Sequence, residues 1–91
     1  MSLQRRRVAI VNKLGLHARA AAKLVAEAGL FSAEVHLLKG EARVNAKSIL
    51  GVMMLAAAKG SELEIEAEGT DAAEAVSALE ALIARRFDED E

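Results

Sequence analysis

Glu62-Leu63-Glu64-Ile65-Glu66-Ala67-Glu68 alternates without a break between a carboxylate and an apolar side chain. A period of two is that of a β-strand, so Leu63, Ile65 and Ala67 fall on one face and the glutamates on the other. Such a strand lies with one face on a core and the other in water, the habit of antiparallel sheets. The rest of the chain must supply it with neighbours at its edges and a cover for its apolar face.

After the strand, Ala72, Val76, Leu79, Leu82 and Ile83 recur on one helical stripe, and Asp71 with Glu74 has the spacing of a capping box. Asp88 to Glu91 then reads as a solvated acidic tail. Before the strand, Ser48 to Ala58 reads as a short apolar helix with Ser48 as its N-cap and Gly60, just past Lys59, as its stop. Segments 33–39 and 41–45 flank Gly40 as a hairpin, with Val35 and Leu37 alternating in one arm and Ala42 and Val44 in the other. Arg7 to Val11 reads as a first strand. A turn over Asn12-Lys13-Leu14-Gly15-Leu16 leads from it into a helix from Ala18 to Ala28, stopped by Gly29. The order is βαββαβα, which implies a small antiparallel or mixed sheet with helices on one face.

Composition narrows the function. At 91 residues with 53% hydrophobic positions, the chain reads as one domain with a single core, a surface site and no room to enclose a large cofactor. Phe31 and Phe87 are its only aromatic residues and the net charge is −2, so neither base stacking nor a broad phosphate footprint is offered to nucleic acid. There is no cysteine, hence no thiolate ligand and no redox pair, which fits a reducing compartment. No apolar run reaches membrane-spanning length and no signal core follows Met1, so the expected location is the cytoplasm. The four glutamates of the alternating strand diverge in a row instead of converging on a metal, and Arg5 and Arg7 can neutralise them across strands. His36 shares the outward parity of Glu34. No metal and no cofactor are expected.

His17 stands between the glycine turn and the first helix, at or beside the N-cap, where several backbone N–H groups lack intrahelical partners. The positive end of a helix disfavours a cationic ring there and favours a phosphoryl dianion bonded to it. Arg19 can bring a planar fork of donors to the same place, and Ala18 and Ala20 leave the ring sterically open. Phosphoryl transfer asks mainly for such positioning and charge stabilisation.

Asn12-Lys13-Leu14-Gly15-Leu16-His17-Ala18-Arg19 closely resembles the active-site segment of the HPr family, the histidine phosphocarriers of the phosphoenolpyruvate-dependent phosphotransferase system. Ala46-Lys47-Ser48-Ile49-Leu50-Gly51-Val52-Met53-Met54-Leu55 resembles the second signature of that family, and length and element order agree from about Arg5 to Arg86. The resemblance implies an open-faced β-sandwich of the α+β class, a four-stranded antiparallel sheet covered on one face by three helices, with 1–91 as one phosphocarrier domain. It implies that His17 accepts phosphate on Nδ1 from enzyme I and donates it to an enzyme IIA component, with Arg19 coordinating the phosphate. It aligns Ser48 with a regulatory serine, the target of an HPr kinase, and sets Ala22, Ile49, Leu50 and Met53 around His17. Where the family usually has proline, this chain has Ala20, which gains an N–H donor and loses a rigid first turn. That alanine and the Gly51-to-Ala57 stretch are similar to the nitrogen-regulatory branch, whose outputs are regulatory.

Physically, Ser48 is explained by helix capping alone. Ile49, Leu50, Val52, Met53 and Met54 are too many apolar side chains for a short helix to bury on one face, so some should be exposed, with Val52 and Leu55 as core. Beside Arg19 and Lys23, such a patch suits transient docking onto acidic partner surfaces. The expected state is a monomer. Two other classes compete: a regulatory binding module in which His17 is never phosphorylated, and an autonomous enzyme, for which no converging acid, metal set or enclosed pocket is found.

Overall fold

In a computed structural model, which describes residues 2–90, the alternating segment becomes strand β4 (Glu62–Gly69) and lies inside a four-stranded sheet. It pairs on one side with β1 (Ser2–Ala9) and on the other with β2 (Glu34–Lys39), which in turn pairs with β3 (Ala42–Asn45). The sheet order is β1-β4-β2-β3 and every pairing is antiparallel. Leu63, Ile65 and Ala67 are buried, together with Val8 of β1 and Val35 and Leu37 of β2. The helices α1 (Ala18–Ala28), α2 (Ile49–Met54) and α3 (Ala72–Ala84) supply the rest of the core, chiefly Ala20, Leu24, Val52, Val76, Leu79 and Ile83. The expected βαββαβα order and open-faced sandwich are therefore the fold.

On the uncovered face of the sheet, Glu66 is neutralised from two strands. The register sets Arg5 opposite Glu66, and both Arg5 (3.1 Å) and Arg43 (3.0 Å) reach the Glu66 carboxylate. The Arg43 hydrogen bond is the main cause that holds this carboxyl below its usual range, against an opposing effect of partial burial. His36 lies on the same face, with Glu66 and Asn45 as its cross-strand neighbours.

Four local expectations need correction, and each fails for a tertiary reason. The first strand begins at Ser2 instead of Arg7 and ends at Ala9, because β4 offers a partner along the whole length and the arginines find carboxylates across it: Arg5 meets Glu66 and Arg6 meets Glu80 of α3. The second helix closes at Met54, with Leu55 as C-cap and Ala56 at φ 50°, well short of Ala58. Its continuation is diverted because the Ala57 carbonyl accepts the Leu16 N–H at 2.9 Å. Asp71 stands at the start of α3 without capping it; its carboxylate accepts the N–H groups of Ser32 (2.9 Å) and Ala33 (2.8 Å) and so pins the β2 entrance. Finally, residues 88–90 are no free acidic tail. Phe87 is wholly buried within a single left-handed turn (Arg86–Asp88, φ 61°, 53° and 63°), which carries Glu89 back over the start of α1. Glu91 lies outside the described residues.

Candidate functional site

The site begins with a glycine. Gly15 has φ +66°, and a Cβ built on it would meet the Ala57 carbonyl oxygen at 2.4 Å and the Ala58 Cα at 2.9 Å. Only a residue without a side chain lets loop 12–16 lie this close to segment 57–58. With the Leu16 hydrogen bond to Ala57, this closeness fixes how the chain enters α1. His17 is the N-cap residue of that helix, in extended conformation (φ −71°, ψ 176°), and its carbonyl accepts the Ala21 N–H at 2.8 Å. Its ring makes no capping bond. The N–H groups of Ala18, Arg19 and Ala20 consequently have no intrahelical acceptor, as in any first turn.

The ring turns instead toward the returning tail. Nε2 of His17 lies 2.5 Å from Oε2 of Glu89, and Oε1 of the same carboxylate accepts a bond from Asn12 Nδ2 at 3.0 Å. Asn12, itself fully buried, also donates to the Gly15 carbonyl at 2.9 Å. Lys23, one helical turn and a half along α1, donates through Nζ to the Phe87 carbonyl at 2.6 Å and clasps the tail from the other side. Burial pushes the Glu89 carboxyl up, but the hydrogen bonds from His17 and Asn12 and the charges of His17 and Lys23 outweigh it and hold the group below its usual range.

Around the ring is a shallow, open depression lined by Lys13, Leu14, His17, Arg19, Glu89 and Asp90. Arg19 is exposed at its edge and has no side-chain hydrogen bond or ion pair among the described residues. The arrangement thus brings together an imidazole, first-turn helix N–H groups that have no partner among the described residues, and an exposed guanidinium, a combination suited to a phosphoryl group.

The other residues singled out in the sequence fall nearby or apart as follows. Ser48 caps α2: its Oγ accepts the Gly51 N–H at 3.1 Å. Ile49 and Met53 are each 41% exposed, Leu50 71% and Met54 80%, while Val52 and Leu55 are core. Ala22 is exposed on α1, against which α2 packs, and Lys23 is half-buried by its bond to the tail. Sequence reasoning missed Glu89 and the structural part of Asn12. A signal for Glu89 existed: Phe87, one of two aromatic residues in the chain, sits in an otherwise charged ending and needs a core to enter.

Comparison with known proteins identifies the family. The profile of the family described as "PTS HPr component phosphorylation site" matches residues 4–85. The phosphocarrier protein HPr of Neisseria meningitidis serogroup A is 54% identical over 84 residues, which cover 92% of this chain and 94% of that protein. The phosphocarrier protein NPr of Shewanella violacea is 44% identical over 98% of both chains. Among solved structures, the crystal structure of HPr-C-His from Thermoanaerobacter tengcongensis superimposes with a TM-score of 0.93 at 42% identity, covering 97% of this chain and 99% of that one. The chain belongs to the HPr family of phosphotransferase-system phosphocarriers.

Proposed function

We propose that this phosphocarrier takes a phosphoryl group from enzyme I onto Nδ1 of His17 and gives it up to a histidine of an enzyme IIA component. The observation that carries the reading is the division of labour between the two ring nitrogens. Nε2 is engaged by Glu89, whereas Nδ1 has no hydrogen-bond partner among the described residues and belongs to a ring seated at an uncapped helix start.

In the transfer, the Nδ1 lone pair attacks phosphorus in line with the departing donor nitrogen, which keeps the electron pair of the old bond. The unpaired N–H groups at the start of α1 and the positive helix end stabilise the phosphoryl oxygens. Ala20 adds one donor that proline would lack. Arg19, exposed and without an ion pair among the described residues, swings in as a fork on two of those oxygens. The exposed Ile49, Leu50 and Met53, with Ala22 and the helix-end charge at the rim, form the face presented in turn to enzyme I and to enzyme IIA. In this reading the carrier works as a monomer in the cytoplasm, with residues 1–91 as one domain. Phosphorylation of Ser48 by an HPr kinase would place about two negative charges on that docking face and hinder its partners.

The test is intact mass after incubation with phosphoenolpyruvate, magnesium and enzyme I, with His17→Ala alongside. An acid-labile phosphoryl adduct absent from the variant is expected. No adduct with a demonstrably active enzyme I would leave the exposed α2 patch as the better guide, and with it a regulatory binding module.

A further inference from the structure

We propose that Glu89 is a positioning residue for phosphoryl transfer: its carboxylate takes the Nε2–H of His17, selects the tautomer with the lone pair on Nδ1, and supports the ring as it becomes cationic. The inference rests on the carrier reading above and deepens it.

A neutral imidazole holds one proton and divides it between two nitrogens unless something chooses. A carboxylate oxygen can only accept, so at 2.5 Å from Nε2 it requires the proton there and leaves Nδ1 bare. Asn12 fixes the acceptor in turn. Its amide nitrogen bridges the Gly15 carbonyl and Glu89, and its own Oδ1, buried, has no partner among the described residues. Turning that amide over would aim an oxygen at two oxygens, so the orientation that donates to Glu89 is the one the surroundings enforce. The Phe87 side chain in the core and the Lys23 bond to the Phe87 carbonyl hold the backbone two residues away. The result is a nucleophilic ring, a carboxylate that orients it and a second group that orients the carboxylate, the logic by which catalytic histidines are held elsewhere.

During transfer the bond from phosphorus to the donor nitrogen breaks, with its electron pair returning to the donor. The Nδ1 lone pair forms the new bond, and the Nε2 proton stays in place. The His17 ring therefore gains a positive charge in the same step, and the facing carboxylate is already there to balance it. The tail engages Nε2 and leaves Nδ1 without a hydrogen-bond partner among the described residues.

The experiment compares the full chain with Glu89→Gln and Glu89→Ala in two readouts: the imidazole 15N spectrum of His17 at alkaline pH, and the rate of phosphorylation by enzyme I with phosphoenolpyruvate. The unaltered chain should show the proton on Nε2. Glu89→Gln, whose amide oxygen can still accept, should keep that tautomer and slow transfer severalfold. Glu89→Ala should mix the tautomers and slow transfer about tenfold or more, at an unchanged KM for enzyme I. An active unaltered chain with the same tautomer and rate in Glu89→Ala overturns the positioning role, as does a faster variant, which would make the tail an obstruction. An unaltered chain that takes no phosphoryl group at all overturns the carrier reading and Glu89's part in transfer together.

Discussion

The starts of α1 and α2 are alike in the sequence and opposite in the structure. Each has a polar residue in extended conformation at the N-cap, His17 in one and Ser48 in the other. Ser48 spends its hydroxyl on its own helix, accepting the Gly51 N–H. His17 gives its helix only a backbone carbonyl and directs its ring to Glu89, so the first turn of α1 keeps its N–H groups for something else. A residue that completes its local helix is explained by folding. A residue that occupies the capping position without capping leaves an electrostatic site open, and its neighbours then decide what fills it.

The strongest way to break this contrast is to remove each side chain in turn. His17→Ala should abolish phosphoryl acceptance, read by intact mass, while leaving the melting temperature close to that of the parent, since the ring is no part of the core. Retained acceptance would move the site elsewhere. Gly15→Ala comes next, because it damages the support of α1 rather than the nucleophile. At φ +66° and with the Ala57 carbonyl in the way, a Cβ should cost at least about 2 kcal/mol in denaturant unfolding and displace His17 from its carboxylate. An unchanged midpoint would mean that loop 12–16 is not held against segment 57–58 as described.

Ser48→Ala should produce the mirror image of His17→Ala at smaller scale. Loss of the cap should cost about 1 kcal/mol, a shift of roughly 4–8 °C in Tm for a domain of this size, with phosphoryl transfer intact. A variant that transferred poorly at full stability would show that Ser48 acts at the site and not only on its helix.

How much of this was legible follows the same division. The alternation of β4 and the stripe of α3 are periodic signals produced by burial, and they led to the correct sheet face and core. His17 at the start of α1 and the exposed patch on α2 were likewise local readings that the structure reproduces. What was not legible depends on distant partners. Asp71 with Glu74 has capping spacing, yet the carboxylate is taken by Ser32 and Ala33, nearly forty residues earlier in the chain. The α2 helix is cut short by Leu16, and the arginines at 5 and 6 become strand because glutamates face them. The acidic ending looked solvated because charge dominates its composition, while one phenylalanine outweighs that charge by entering the core.

The smallest expected effect separates the two helix starts by pH. The Glu89 carboxyl is held below its usual range because His17 and Asn12 bond its charged form, so the contact is complete at neutral pH. A depressed carboxyl contributes stability above its unfolded value of about 4.3 and loses it as the pH falls through the lower folded value. Lys13, Arg19 and Lys23 lie on one side of this carboxylate and Asp90 on the other. The side-chain amide signals of Asn12 should therefore shift in an acid step whose midpoint lies below that of an ordinary glutamate. The Gly51 N–H, bonded to an uncharged hydroxyl, should stay still through the same step. A midpoint at or above the ordinary value would mean that the tail does not rest on His17 in solution. A parallel shift at Gly51 would mean that acid loosens the whole helical layer, and the contrast between the two starts would not hold.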